Sequence, residues 1–298
     1  MQSPEVKTEK RQFPEDSFLG GFRRIILGNK QAFAGFLIVG TMIAIAIVVA
    51  ISNVLHVQIT PFNPIQQNVG PVLVGPTMHN FFGTDEFGRD LFSRILAAAP
   101  NDVGIGIAVV GSALLLGAFV GSLAAFRGGL ADEALMRGTD ITFALPALVL
   151  AMAIGITIGP SISHMTIALA IIWWPPYARL ARGEALKVSH ESYVEAARLS
   201  GFGTIRILIK HILPNILTTM IVYATLDVGT VILVYAGLSY LGLSVTPPQP
   251  DWGQMVSGYQ DYLESAPWLP LLPGLFIALG VIGFSLLGDG IRDTIGST

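Results

Sequence analysis

The sequence predicts an all-α membrane protein with six transmembrane helices. Hydrophobic residues make up 52% of its 298 residues and charged residues only 12%, about half the charged share of an ordinary soluble domain. Apolar runs recur at lengths near the roughly 20 residues that a helix needs to cross a bilayer core of about 30 Å. None of them alternates with the period of two expected of a membrane barrel. The net charge of −3 gives no basis for a nucleic-acid partner, and the absence of cysteine excludes disulfides and thiolate-held metals.

Residues 1–32 read as a polar cytoplasmic tail, lacking the short basic region and apolar core of a cleaved signal peptide. The first span is expected at Phe33–Leu55, followed by an extracytoplasmic loop over 56–102 that includes an amphipathic segment. A core over 103–288 then holds spans at Val103–Phe126, Ile141–Gly159, His164–Arg182, Asn215–Leu243 and Trp268–Leu287. It includes a cytoplasmic loop at 183–214 and an outer loop at 246–267, and residues 289–298 form a cytoplasmic tail. Small residues within the spans, as in "GIAVVGSALLLGAFVGSLAAF", allow close helix packing. With both termini inside, fifteen of the 17 Lys and Arg residues are cytoplasmic and only Arg89 and Arg94 are outside. That bias sets the orientation.

The segment "ESYVEAARLSGFGTIRILIKHILPN" (191–215) is the most polar long stretch between two spans. Ser192 and Glu195 stand at capping-box spacing, which predicts a helix from about Tyr193. Gly201 suits the left-handed position after its end. Thr204 is placed to cap a second helix with Ile205, Leu208, Ile209 and Ile212 at helical spacing, and Pro214 marks a break before the next span. A two-turn helix is marginal alone in water, so its own domain or a second protein must hold it.

This string resembles the EAA loop of binding-protein-dependent ABC importer permeases: Glu195, Ala196, Ala197, Gly201, Leu213 and Pro214 match, while His211 stands where an Ile is expected. "FFGTDEFGRDLFSRIL", "FRGGLADEALMRGTDITFALP", "LSYLGLSVTPPQPDWGQM" and "LLGDGIRD" are similar, in the same order, to blocks of the C-type permease subunit of the dipeptide, oligopeptide and nickel branch. The resemblance implies a type I ABC importer permease fold with a cytoplasmic coupling loop. In such a loop Tyr193, Glu195, Ala196, Ala197, Arg198 and Gly201 would engage an ATPase: the alanines allow close approach, and Glu195 and Arg198 can fix register through charged pairs. It also implies a homologous B-type permease, one or two cytoplasmic ATPase subunits that bind ATP and Mg, and an extracytoplasmic substrate-binding protein. The location would be the cell membrane, and the chain itself would hold no cofactor and no metal.

Outside the membrane, Asp85, Arg89 and Asp90 could cap and pair an interfacial helix. Trp252 and Trp268 fit interfacial belts, and Pro247, Pro248 and Pro250 stiffen the outer loop. Seven acids (Asp85, Glu86, Asp90, Asp102, Asp251, Asp261 and Glu264) against two arginines make an acidic docking face a reasonable expectation. Two departures from the branch bear on the solute: Pro100 stands where a basic residue is common, and Tyr235 where a Glu is frequent. Asp227 lies well inside the fifth span, where a carboxylate costs on the order of 2.5–3.5 kcal/mol. It either lines the translocation path with Tyr235, meeting a cationic or hydroxyl-rich solute, or is protonated or bonded to Thr218, Thr219, Tyr223 or a neighbouring helix. An aromatic beside a carboxylate suits oligosaccharides at least as well as peptides, and nickel chelates are a further alternative.

An enzyme is disfavoured. The chain lacks the G-x-x-x-x-G-K-[ST] phosphate loop, H-E-x-x-H and G-x-S-x-G, and its five histidines form no ligand cluster. A stand-alone secondary transporter or channel is the rival class, but it would usually carry several intramembrane charges, and Asp227 is the single convincing one.

Overall fold

The structure, a computed structural model, describes residues 29–296. Apart from its last four residues, the expected N-terminal tail lies outside them. Among the described residues there are helices and no strand beyond an isolated bridge between Thr84 and Asp90. Helix α1 (Lys30–Leu55) starts where the Asn29 carboxamide oxygen accepts from the Gln31 and Ala32 amides at 2.8 and 3.4 Å. Helix α2 (Leu91–Arg127) begins well before the expected Val103. The reason is Asp90, whose carboxylate accepts from the Ser93 amide at 2.8 Å and nucleates the helix there. The amphipathic segment and the second span are therefore one rod of 37 residues, with Pro100 inside it.

The expected third span is broken. Helices α3 (Gly129–Phe143) and α4 (Ala147–Ile158) meet at 79°. Pro146 at the α4 N-cap has no amide to donate and disfavours helix at Leu145. Helix α5 (Ile162–Ser189) absorbs Pro175 and Pro176 and runs past the expected end at Arg182. Helix α6 (Ser192–Leu199) and the single turn α7 (Thr204–Ile207) follow, then a π-turn over Leu208–Ile212 that leads directly into α8 (Leu213–Tyr240). The expected break at Pro214 does not occur. The wide π-turn ahead of the ring relieves its clash with the preceding carbonyls, so Thr204–Tyr240 is one apolar stretch. Helices α9 (Trp252–Gly258) and α10 (Trp268–Gly296) complete the chain.

Four of these stretches, α1, α2, α7–α8 and α10, are long and apolar enough to cross a membrane, and the bent α3–α4 pair would make a fifth. Helix α5 has the length, at 28 residues, but prolines and basic residues dilute it. The six expected spans are consistent with this count.

Small residues set the packing, as expected. Helix α2 lies along α5 with Gly117 and Gly121 at the contact, where an added Cβ would overlap Tyr177 and the Ala178 carbonyl. Helices α1 and α10 meet in the same way at Gly35 and Gly290. Leu37, Ile47, Val48 and Ile51 of α1, Leu115 of α2, and Leu275 and Ile282 of α10 remain exposed. Exposed apolar faces of this kind suit a lipid or helix–helix environment.

The segments expected outside the membrane form an internally tied cap rather than an acidic surface. Asp85, Asp90, Asp102 and Asp251 are buried, as are Arg89 and Arg94. Asp85 accepts from the Arg89 Nε at 2.6 Å and the Tyr259 hydroxyl at 3.0 Å. Arg94 donates to the Pro64 and Pro248 carbonyls at 2.9 and 3.1 Å. Of the seven outer acids, only Asp261 and Glu264 are fully exposed, with Glu86 partly so. The docking-face expectation fails because four of the seven acids are buried, three of them accepting hydrogen bonds from side chains of these segments and of α8. Trp252 is likewise no belt residue. It is buried, donating its indole N–H to the Ile95 carbonyl at 3.0 Å, because Asp251 caps α9 and turns it inward.

Candidate functional site

Two places bring the sequence-predicted residues together. The first is the elbow formed by α6 and α7. Its N-cap is Glu191, one residue before the expected Ser192, and Ser192 makes no cap hydrogen bond. The capping box does not form. The Glu191 carbonyl instead accepts from the Val194 and Glu195 amides at 2.9 and 3.2 Å, which starts the helix a residue early. The C-terminal expectation holds. Gly201 is left-handed at φ 77°, the Phe202 amide donates to the Ala197 carbonyl at 3.2 Å, and the Gly201 amide to the Arg198 carbonyl at 2.9 Å. That pair of bonds is a Schellman motif, which satisfies the last carbonyls of α6.

The two faces of this short helix differ. Val194 and Ala197 are buried and join the cluster of Leu208 and Ile212, so the elbow is bolted to the bundle. Ala196 is exposed, so of the two alanines it alone is free for close approach. Tyr193, Leu199, Phe202, Ile205 and Ile209 of the elbow and its continuation are also exposed, Leu199 at 90%. Desolvation, with a contribution from Glu191, raises the Tyr193 phenol above its ordinary range. The Arg198 guanidinium lies 4.2 Å from the Phe126 ring at the end of α2, so it is committed within the chain. Glu195 is exposed and forms no ion pair among the described residues. Behind the elbow, the Arg182 guanidinium grips both Asp132 oxygens at 2.6 Å, and Arg179 meets Asp140 at 2.5 Å, tying α5 to the broken span.

The second place is at the middle of α8. Asp227 is half-buried, and its Oδ2 accepts from the Trp173 indole N–H at 2.6 Å and the Tyr177 hydroxyl at 2.9 Å. Its partners therefore lie on the neighbouring α5, not on Thr218, Thr219 or Tyr223 of its own helix. The Tyr177 ring packs edge-on against Tyr223 at 5.1 Å. Thr219, Tyr223, Asp227 and Thr230 fall at helical spacing along one side of α8, and all reach the surface. Trp173 and Tyr177 were not anticipated. The available signal was their i, i+4 spacing in "WWPPYARL". Tyr235 is not with them. It has no exposed surface, and its hydroxyl donates to Asp251 at 2.6 Å, so it secures the loop between α8 and α9.

Comparison with known proteins gives concordant matches. Residues 113–297 match the model of the family described as binding-protein-dependent transport system inner membrane component. The chain is 39% identical to the dipeptide transport system permease protein of Alkalihalophilus pseudofirmus over 268 residues, covering 90% of this chain and 86% of that one. It is 42% identical to the probable D,D-dipeptide transport system permease protein of Escherichia coli K12 over 223 residues, 75% of each. To the glutathione transport system permease protein of an Escherichia coli O6 strain it is 37% identical over 221 residues, 74% of this chain and 73% of the other.

Proposed function

This chain belongs to the family of inner membrane components of binding-protein-dependent transport systems, and from that premise we propose what it carries and how it is driven. It is a multi-pass permease subunit of an ATP-binding-cassette importer, and the solute is a dipeptide or comparably short peptide, as the names of its relatives support. The oligosaccharide alternative loses its aromatic support, since Tyr235 is fully buried. Both termini and the elbow lie in the cytoplasm, in keeping with the distribution of Lys and Arg.

The chain has no phosphate-binding loop of the Walker type, so ATP and Mg are bound by one or two cytoplasmic ATPase subunits. A homologous B-type permease supplies the other wall of the path, and an extracytoplasmic binding protein delivers the peptide. The observation that carries this reading is the elbow's outward face. Tyr193 and Leu199 stand three residues either side of the small, exposed Ala196 on α6, and Phe202, Ile205 and Ile209 carry exposed apolar surface through the following turn to the start of the α7–α8 stretch. An apolar patch there fits a protein partner. ATP-driven approach of the ATPase subunits would move this elbow. Its buried Val194 and Ala197, together with the Arg182–Asp132 and Arg179–Asp140 ties, would pass the motion to α5, α8 and the broken span.

The test uses the absence of native cysteine. A single Ala196→Cys should crosslink to a cysteine placed in the ATPase groove, with the yield changing on ATP binding. Glu195→Lys, and Gly201→Pro at a left-handed backbone that proline cannot adopt, should each abolish uptake and ATPase stimulation while binding-protein docking persists. Normal uptake by either variant would refute the coupling role.

A further inference from the structure

Asp227 is built as more than a structural acid. Its Oδ2 is saturated by two rigid donors, Trp173 and Tyr177. Its Oδ1 accepts no hydrogen bond among the described residues and is not among the buried, unpartnered oxygens. No Lys, Arg or His among them pairs with it. The result is an oriented carboxylate with one oxygen held in place and the other left open, at the midpoint of a 28-residue helix. A carboxylate at this depth does not face lipid; it faces protein or a water-filled path. Thr219, Tyr223 and Thr230 share its side of α8 and are exposed, Tyr223 one turn away. Trp173 also lines a cavity of about 280 Å³ beside the break between α3 and α4.

A fixed carboxylate oxygen flanked by indole and phenol rings has the chemistry of an ammonium site. The carboxylate supplies the counter-charge and the acceptor, Trp173 holds it through its indole N–H, and the exposed Tyr223 ring is the aromatic surface available to a cation. We propose that Asp227, framed by Trp173 and Tyr223, receives the α-ammonium group of the peptide as it crosses the membrane, and so selects solutes with a free N-terminus. This rests on the peptide-importer reading given above. A neutral hydroxyl-rich solute would leave the charge unanswered.

The permease complex without its binding protein, in lipid nanodiscs, is titrated with alanylalanine, N-acetylalanylalanine and n-propylammonium while tryptophan fluorescence is followed. Alanylalanine and propylammonium are expected to bind the wild type saturably, with the acetylated peptide at least tenfold weaker. Asp227→Asn keeps the size and the Oδ acceptor but should lose that preference, binding alanylalanine no better than the acetylated form. Tyr223→Leu, at an exposed position, should weaken the preference severalfold without threatening the fold. A preference that survives Asp227→Asn, or none in the wild type, overturns the proposal. Separately, the complete system is assayed for ATP-driven alanylalanine uptake. No uptake by the wild type would sink the peptide reading, whereas the propylammonium titration decides on the ammonium site by itself.

Discussion

Asp85 illustrates how much a single side chain holds together. It accepts from the Phe87 and Arg89 amides at 2.9 Å, from the Arg89 guanidinium and from Tyr259, a residue 174 positions away. It is fully buried, so Asp85→Ala would leave the buried Arg89 guanidinium with only the longer Glu86 contact at 3.5 Å and the Phe87 ring. The expected cost is about 3–5 kcal/mol. Thermal unfolding of the purified complex in detergent should show it, and an unchanged midpoint would mean that the cap does not depend on this pair. The local part of this arrangement was legible in the sequence, because Asp90 at a helix start and a charged pair at 85 and 89 are short-range patterns. The link to Tyr259 was not, since nothing in a linear pattern says which distant hydroxyl will close a network. Asp227 repeats the lesson. A carboxylate inside a span announces itself, but its Trp173 partner lies 54 residues away and depends on how α5 and α8 meet.

Two prolines define the scale of the element. Pro146 ends one helix and bends the third span by 79°, whereas Pro214 is carried inside a continuous stretch because a π-turn precedes it. The sequence suggests a break at Pro214 and an unbroken span through Pro146; the structure reverses both. The α2–α5 contact makes the complementary case. Its glycines were readable as packing residues, and the structure identifies the surface they meet. A Cβ at Gly121 would overlap the Ala178 carbonyl, which is backbone and has no rotamer to yield. Gly121→Val should therefore force the two helices apart, at about 1–3 kcal/mol or more, with the permease recovered in lower yield and unfolding at lower temperature. Because α5 also carries the Arg182–Asp132 tie and leads into the elbow, uptake should fall with it. Wild-type stability in that variant would show that the helices are not in contact there.

At the scale of the whole molecule, the described residues form a helical bundle with an internally tied cap at one end and an apolar elbow at the other. The cap end holds Glu264, the elbow end Leu199, and both residues are exposed. Single cysteines at the two positions test the orientation. A membrane-impermeant maleimide should label Glu264→Cys in intact cells and Leu199→Cys only after permeabilisation, and the reverse pattern would overturn the assignment. The sequence by itself determined the class of the protein. Hydropathy, helical period, the excess of Lys and Arg on one side, and the residues of the elbow are all local or additive properties, and each survives being read one window at a time. The tertiary structure alone decided which acids are internal ties, that Tyr235 serves the outer cap, that Ala197 faces in while Ala196 faces out, and that Asp227 keeps one oxygen open. Those outcomes depend on which surfaces of distant helices come into contact, and desolvation then gives identical side chains opposite roles.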